Sequence, residues 1–282
     1  MTTPVSSAGS PSPLRLDDDH LQPSTVYGPV KSWRFGSSLG IDLIRDLSTC
    51  SFNCIYCQLG DIQVKVNERQ VFVPTETVFR DLQTVDWSGV DVITFSGSGE
   101  PTLALNLKAV LEGLKSLTDK PITVLTNGTR LWDPEVQEAL MLADTVSVKL
   151  DAASSEGLKQ MNRPVEGVTL ESIIEGYKAF QARYQGKLCI QTMFMPTNRK
   201  ELEGLATLIA DLKPDELQLN TPKRPYPLTW NIDSRGNHTG QQDYPTTVLK
   251  TISQAEAETI EAYLTAHTGV PILTVYPSPE GH

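Results

Sequence analysis

An α/β chain whose parallel sheet curls into an open, incomplete barrel is the fold this sequence predicts, on three observations. Short β-rich runs alternate with helical patterns along most of the 282 residues. Repeated strand–helix units with short connections imply parallel strands. The runs are also two-sided: Val146, Val148 and Leu150 alternate with Ser147, Lys149 and Asp151, Leu217 and Leu219 with Glu216, Gln218 and Asn220, and Ile93 and Phe95 with Thr94 and Ser96. One face is apolar and belongs under helices, and the other is polar. A closed eight-stranded barrel fills its interior with branched apolar residues. The strands of a doubly wound sheet are covered, and apolar, on both faces. A polar inner face therefore points to an incomplete barrel that holds a ligand.

The elements follow in order. Residues 1–25 are rich in Ser, Pro and Thr and read as a disordered tail. A core domain is expected over 26–276, with 222–276 as a C-terminal extension. "SLGIDLI" supplies a first strand over 39–45, and a second over 90–96 runs into glycine. Helical spacing covers 106–117, and a strand 122–126. Asp133 as N-cap and Pro134 at the first helical position open a helix over 133–143. Strands at 145–151, 188–194 and 215–219 bracket helices at 170–184 and 199–212, and a last helix over 253–269 closes at Gly269. The Pro-rich segment 222–250 is long and irregular, as functional or poorly ordered loops are.

Composition narrows the class. No run of 18 apolar residues occurs, so no transmembrane helix is expected, and the N-terminus has no apolar h-region. A cytoplasmic protein is the default, and there clustered cysteines serve metals or catalysis rather than disulfides. The net charge of −10 gives no global pull toward nucleic acid. Lys31 with Arg34, and Lys223 with Arg224, offer local basic patches.

Three of the four cysteines, Cys50, Cys54 and Cys57, lie in "CSFNCIYC", whereas Cys189 stands alone in "KLCIQT". A structural zinc site needs four protein ligands. The fourth would come from Cys189, His20, His238, His267 or His282, none of them nearby in sequence. The irons of a [4Fe–4S] cluster are ordinarily each held by a thiolate. Three thiolates leave one iron open to oxygen and nitrogen donors of a substrate or cofactor. Cys189 reads as a small buried hydrophobe on a strand.

On these residues the chain resembles the radical S-adenosylmethionine (radical SAM) enzymes. The resemblance implies a partial (β/α)6, TIM-like barrel. It implies that the open iron chelates the amino and carboxylate groups of S-adenosylmethionine, and that one electron from the reduced cluster breaks the C5′–S bond. The products are methionine and a 5′-deoxyadenosyl radical that takes hydrogen from substrate. "SGSGEPTL" resembles the family's glycine-rich motif near the methionine amino group, and so implicates Gly97, Gly99 and Glu100. Read for itself, it is a turn in which glycine lets backbone approach a ligand and Pro101 holds Glu100 extended. "LTNGT" resembles the strand end that contacts the ribose, through Asn127, although Asn-Gly is also a hairpin turn. Tyr56 takes the place of the aromatic bordering adenine. Lys149 and Asp151 in "VKLDA" are catalytic candidates or a plain inner-face ion pair, and Gln191, Met193 and Asn220 are further inner-face candidates.

"YGPVKSWRFGSSLGIDL" resembles a subgroup of Fe–S oxidoreductases related to the wyosine tRNA-modifying synthetases, which implies tRNA as substrate. This chain has neither extra cysteines for a second cluster nor a flavodoxin-like domain. A one-electron donor such as flavodoxin or ferredoxin is implied as partner. A glycyl-radical activase of a partner protein, and a noncatalytic Fe–S or zinc-binding module, are the alternatives.

Overall fold

The computed structural model describes residues 23–236 and 243–276. Eight strands form one sheet in chain order: β1 (Val26–Ser32), β2 (Gly36–Ile41), β3 (Val92–Phe95), β4 (Ile122–Thr126), β5 (Thr145–Lys149), β6 (Lys187–Met193), β7 (Glu216–Asn220) and β8 (Ile272–Thr274). β1 is antiparallel to β2, and every later neighbour pair is parallel. Seven helices accompany the sheet among the described residues: α1 (Thr75–Leu82), α2 (Leu107–Leu117), α3 (Pro134–Leu140), α4 (Ser155–Met161), α5 (Leu170–Gln181), α6 (Leu202–Leu212) and α7 (Gln254–Thr268). The six expected strands are β2–β7, the staves of an α/β half-barrel.

The differences from expectation have local causes. The first strand stops at Ile41 because the Asp42 carboxylate accepts the N–H groups of Ile44 and Arg45, both at 3.0 Å, and turns the chain. β1 was not expected, since Gly28 and Pro29 break its pattern. α1 and α4 are short, and Gly157 weakens the helical signal of the second. Residues 196–201 form a 3-10 turn rather than the start of α6. Asp133 caps α3 as expected, accepting from Glu135 N at 3.0 Å, and Gly269 ends α7 at φ +65°. The expected disordered tail lies outside the described residues up to 22, but Thr25 is ordered, with N and Oγ1 both 2.8 Å from Asp81 Oδ2.

The apolar face of the sheet is the core. Ile93, Phe95, Val124, Val146, Val148, Ile190, Leu217 and Leu219 pack with Val110, Leu114, Ile173, Phe180 and Ile209 of the helices. The polar face comes in layers set by register. Ser147, Cys189 and Glu216 are neighbours, then Lys149, Gln191 and Gln218, and then Met193 and Asn220. The lower layers are filled by the protein itself. Ser147 Oγ donates to Gln218 Oε1 at 3.0 Å, and Arg34, from the β1–β2 turn, reaches the same oxygen at 3.1 Å. Burial holds the Arg34 guanidinium down at about 10, although Cys189 and Glu216 oppose it. Thus Arg34 plugs the barrel instead of contributing to a surface patch. Cys189 is buried as expected but faces this polar layer, its thiol 3.9 Å from Glu216 Oε1.

Segment 222–250 is partly regular. Tyr226–Pro227 pairs with Thr246–Thr247, and Ile232–Ser234 forms a 3-10 turn. Arg235 then forms a buried ion pair with Asp42 at 3.0 Å, which ties the extension to the turn after β2. The Lys223–Arg224 pair also serves internal contacts: Lys223 donates to Val275 O at 2.8 Å, and Arg224 to the carbonyl of Gly236.

Candidate cofactor site

The cysteine loop follows β2 and is stitched down on several sides. Phe52 is buried in the main core and anchors the loop. Thr49–Cys50 pairs in parallel with Val64–Lys65, and Thr49 bridges to Gly99. The backbone N–H groups of Asn53 and Ile55 donate to Asn162 O at 2.8 Å and Met161 O at 3.0 Å, at the end of α4. Asn53 also accepts from Ile62 N at 3.0 Å, closing the loop on itself. All three cysteines are half-buried.

Each sulfur has an N–H donor. Cys50 Sγ accepts from Phe52 N at 3.4 Å and Asn127 Nδ2 at 3.5 Å, and Cys54 Sγ from Asn162 Nδ2 at 3.4 Å. Burial pushes the thiols up, helped by Glu100 beside Cys50 and by Asp151 beside Cys54. Cys57 is pushed up to about 12 by burial and the neighbouring Cys54. Metal binding must displace these protons. Three soft sulfur donors without a carboxylate among them are the donor set of an Fe–S cluster. A mononuclear zinc site would need donors converging on one point. Among the described residues no three His, Cys, Asp or Glu side chains do so. Cys189 lies in the lower barrel, and His267 on α7 bonds Tyr263 O at 2.7 Å. His20, His238 and His282 fall outside the described residues.

The glycine-rich turn lies against the cysteine loop. A Cβ on Gly99 would sit 1.8 Å from Thr49 O, and one on Gly97, at φ +120°, 2.5 Å from Asp42 Cγ. Thr49 backbone and the Asp42 side chain thus already demand glycine at both positions. Glu100 is buried and works as a brace. One carboxylate oxygen accepts from Thr102 N, Thr102 Oγ1 and Thr126 Oγ1, and the other from Asn127 N at 2.7 Å. Asn127 in turn donates to Ser51 Oγ at 2.8 Å and accepts from Thr129 N at 3.0 Å. "LTNGT" is accordingly a strand end leading to a helix and not a hairpin.

Opposite this turn, the Asp151 carboxylate is fixed by Met193 N at 2.7 Å and Asn162 Nδ2 at 2.6 Å, and the Tyr56 hydroxyl donates to it. Lys149 does not pair with Asp151. Its Nζ donates to Gln191 Oε1 at 2.9 Å and lies 5.2 Å from the Tyr56 ring centroid. Asn220, at the end of β7, accepts from Thr221 N at 2.9 Å. Sequence reasoning missed Asn162, Ser51 and Asp42. Nothing in "LKQMNRP" separates Asn162 from an ordinary helix-end residue, since its partners Cys54 and Tyr56 are remote in sequence.

Residues 45–209 match the family model described as the Radical SAM superfamily. The chain is 47% identical over 251 residues to a UPF0026 protein of Synechocystis sp., covering 88% of this chain and 94% of the relative. It is 35% identical over 207 residues to a UPF0026 protein of Methanocaldococcus jannaschii, covering 71% and 64%. Among solved structures it is similar to Streptococcus suis SuiB bound to S-adenosylmethionine, with a TM-score of 0.57 at 18% identity over 82% of this chain and 49% of that one. The chain thus spans about half the length of SuiB. It is also similar to TYW1 with a lysine–pyruvate adduct bound, with a TM-score of 0.60 at 13% identity over 87% and 78%. At these identities the solved structures show the fold alone.

Proposed function

Starting from a chain that belongs to the radical SAM superfamily and, within it, to the UPF0026 family, we propose how its own residues build the site. The family implies a [4Fe–4S] cluster and S-adenosylmethionine as cofactors. Cys50, Cys54 and Cys57 hold the cluster and leave one iron for S-adenosylmethionine. Tyr56, Gly97, Gly99, Glu100, Asn127, Gln191 and Asn220 border that cofactor. When bound, the pair supplies one-electron cleavage chemistry and a hydrogen-abstracting radical. The chain supplies placement and shielding.

The carrying observation is the separation of the cysteines: three on one braced loop at the C-terminal rim, and Cys189 turned toward Glu216 below. Glu100 locks the glycine turn to the end of β4, so the two walls of the site move together. Asp151, held by a backbone N–H and an amide, orients the Tyr56 ring through its hydroxyl. Lys149 lies over that ring, where its ammonium attracts an anionic group of substrate or cofactor. Lys149 and Asp151 are the residues we assign to catalysis.

A radical SAM enzyme needs a reductant, and flavodoxin or ferredoxin is the proposed donor. Kinship with the wyosine tRNA-modifying synthetases makes a tRNA base the substrate reading to test. The two basic pairs do not support it, because Arg34 and Arg224 are spent on internal bonds. Modified nucleosides and metabolites compared between wild-type and deletion cells decide it: a nucleoside lost from tRNA upholds that reading, and unchanged tRNA with an altered metabolite replaces it. Iron content of Cys→Ala variants tests the ligand set, which fails if Cys189→Ala strips the iron.

A further inference from the structure

Two side-chain amides reach the cysteine sulfurs from opposite walls, Asn127 from the end of β4 and Asn162 from the end of α4. We propose that Asn127 and Asn162 are positioning residues that set the reduction potential of the cluster by donating N–H bonds to Cys50 and Cys54. The proposal rests on the reading that Cys50, Cys54 and Cys57 hold the cluster.

The orientation of each amide is fixed by its other partners. Asn127 Oδ1 accepts both N and Oγ1 of Thr129, at 3.0 and 2.9 Å, so its nitrogen must face Ser51 Oγ and Cys50 Sγ. Its amide nitrogen is thereby engaged at Ser51 and at the Cys50 sulfur. Asn162 Nδ2 lies 2.6 Å from Asp151 Oδ2, and turning the amide over would set its oxygen against that carboxylate. One N–H goes to Asp151. The other is shared between the Tyr56 oxygen at 3.1 Å and Cys54 Sγ at 3.4 Å. The side-chain oxygen of Asn162, Oδ1, stays buried without a protein partner, a cost that no backbone requirement explains. Cys57 differs, with only a backbone donor, Leu59, bearing on it.

Hydrogen bonds to thiolate sulfur draw negative charge off the cluster and favour its reduced form, which raises the potential. A loop gathering three thiolates beside Glu100 and Asp151 holds much negative charge. The amides offset it at the two sulfurs nearest those carboxylates.

The test is a redox titration of reconstituted holoprotein, read by electron paramagnetic resonance, on Asn127→Leu and Asn162→Leu against wild type. Asn198→Leu is the control. Asn198 is equally buried and donates to Asp151 O at 2.8 Å and Met193 O at 2.9 Å, but to no sulfur. At unchanged iron content, both test variants should shift to lower potential and the control should not. A potential that stays put, or one that falls equally in Asn198→Leu, overturns the proposal. Should a variant lose its iron, wild type carrying nitrogen-15 in its asparagine amides decides. The reduced cluster should show hyperfine coupling to that nitrogen, and its absence overturns the proposal. A wild-type chain that binds no iron removes the premise and the proposal with it, whereas a loaded cluster without these effects removes the proposal alone.

Discussion

Gly99→Ala puts one methyl group where the glycine turn meets the cysteine loop, and its cost can be worked from the contacts. The new Cβ would lie 1.8 Å from Thr49 O and 2.7 Å from Thr49 C, both backbone atoms that cannot swing aside. The two segments must part. Two hydrogen bonds join them there, Glu100 N to Thr49 O and Thr49 N to Ser98 O, each at 3.0 Å. At about 0.5–1.5 kcal/mol per bond their loss costs about 1–3 kcal/mol. Overpacking adds about 1–3 kcal/mol. The sum, about 2–6 kcal/mol, is a large part of the roughly 5–15 kcal/mol that holds a domain folded. The assay is urea unfolding of the apoprotein, with iron uptake after reconstitution. Gly89→Ala is the control, since nothing lies within 4 Å of its Cβ position and its φ is ordinary. The account expects the unfolding midpoint of Gly99→Ala to fall, iron uptake to drop, and Gly89→Ala to stay within about 0.5 kcal/mol of wild type. A Gly99→Ala protein as stable as wild type and fully loaded would refute the reasoning.

Arg235→Ala leaves the Asp42 carboxylate buried without its ion pair and should cost about 3–5 kcal/mol in urea unfolding, with Asp42→Asn in the same chain restoring much of it. An unchanged midpoint would mean that the extension is not tied down there. Cys189→Ala should keep full iron and visible absorbance, while Cys50→Ala loses both, as iron analysis will show. Thr169→Ala removes the capping box of α5, in which Ser172 N donates to Thr169 Oγ1 at 3.1 Å, and should lower stability by about 0.5–2 kcal/mol without touching iron content.

Strand alternation made the staves legible. Val146, Val148 and Leu150 declare their face within a few residues, and the structure puts them in the core. β1 was hidden by Gly28 and Pro29, and β8 is only three residues long, held by its pairing with β7. The polar face was read correctly as the inside, but not its use. Arg34 and Ser147 both donate to Gln218 Oε1 below, so part of that face is filled by the protein itself. Cysteine spacing is local and was readable. The Asn162–Cys54 bond is not, because it joins residues 108 positions apart that only the fold brings together. The glycine turn was readable, but not the crowding by Thr49 and Asp42 that demands glycine there, because no sequence pattern records that they are its neighbours.

The central claim is an iron left free of protein thiolate for S-adenosylmethionine. Its most direct measurement is 5′-deoxyadenosine formed by the anaerobically reconstituted protein supplied with dithionite and S-adenosylmethionine. The account predicts 5′-deoxyadenosine and methionine in equal amounts, dependent on Cys50, Cys54 and Cys57 and independent of Cys189. A protein carrying its full complement of iron and sulfide that leaves S-adenosylmethionine uncleaved would contradict it.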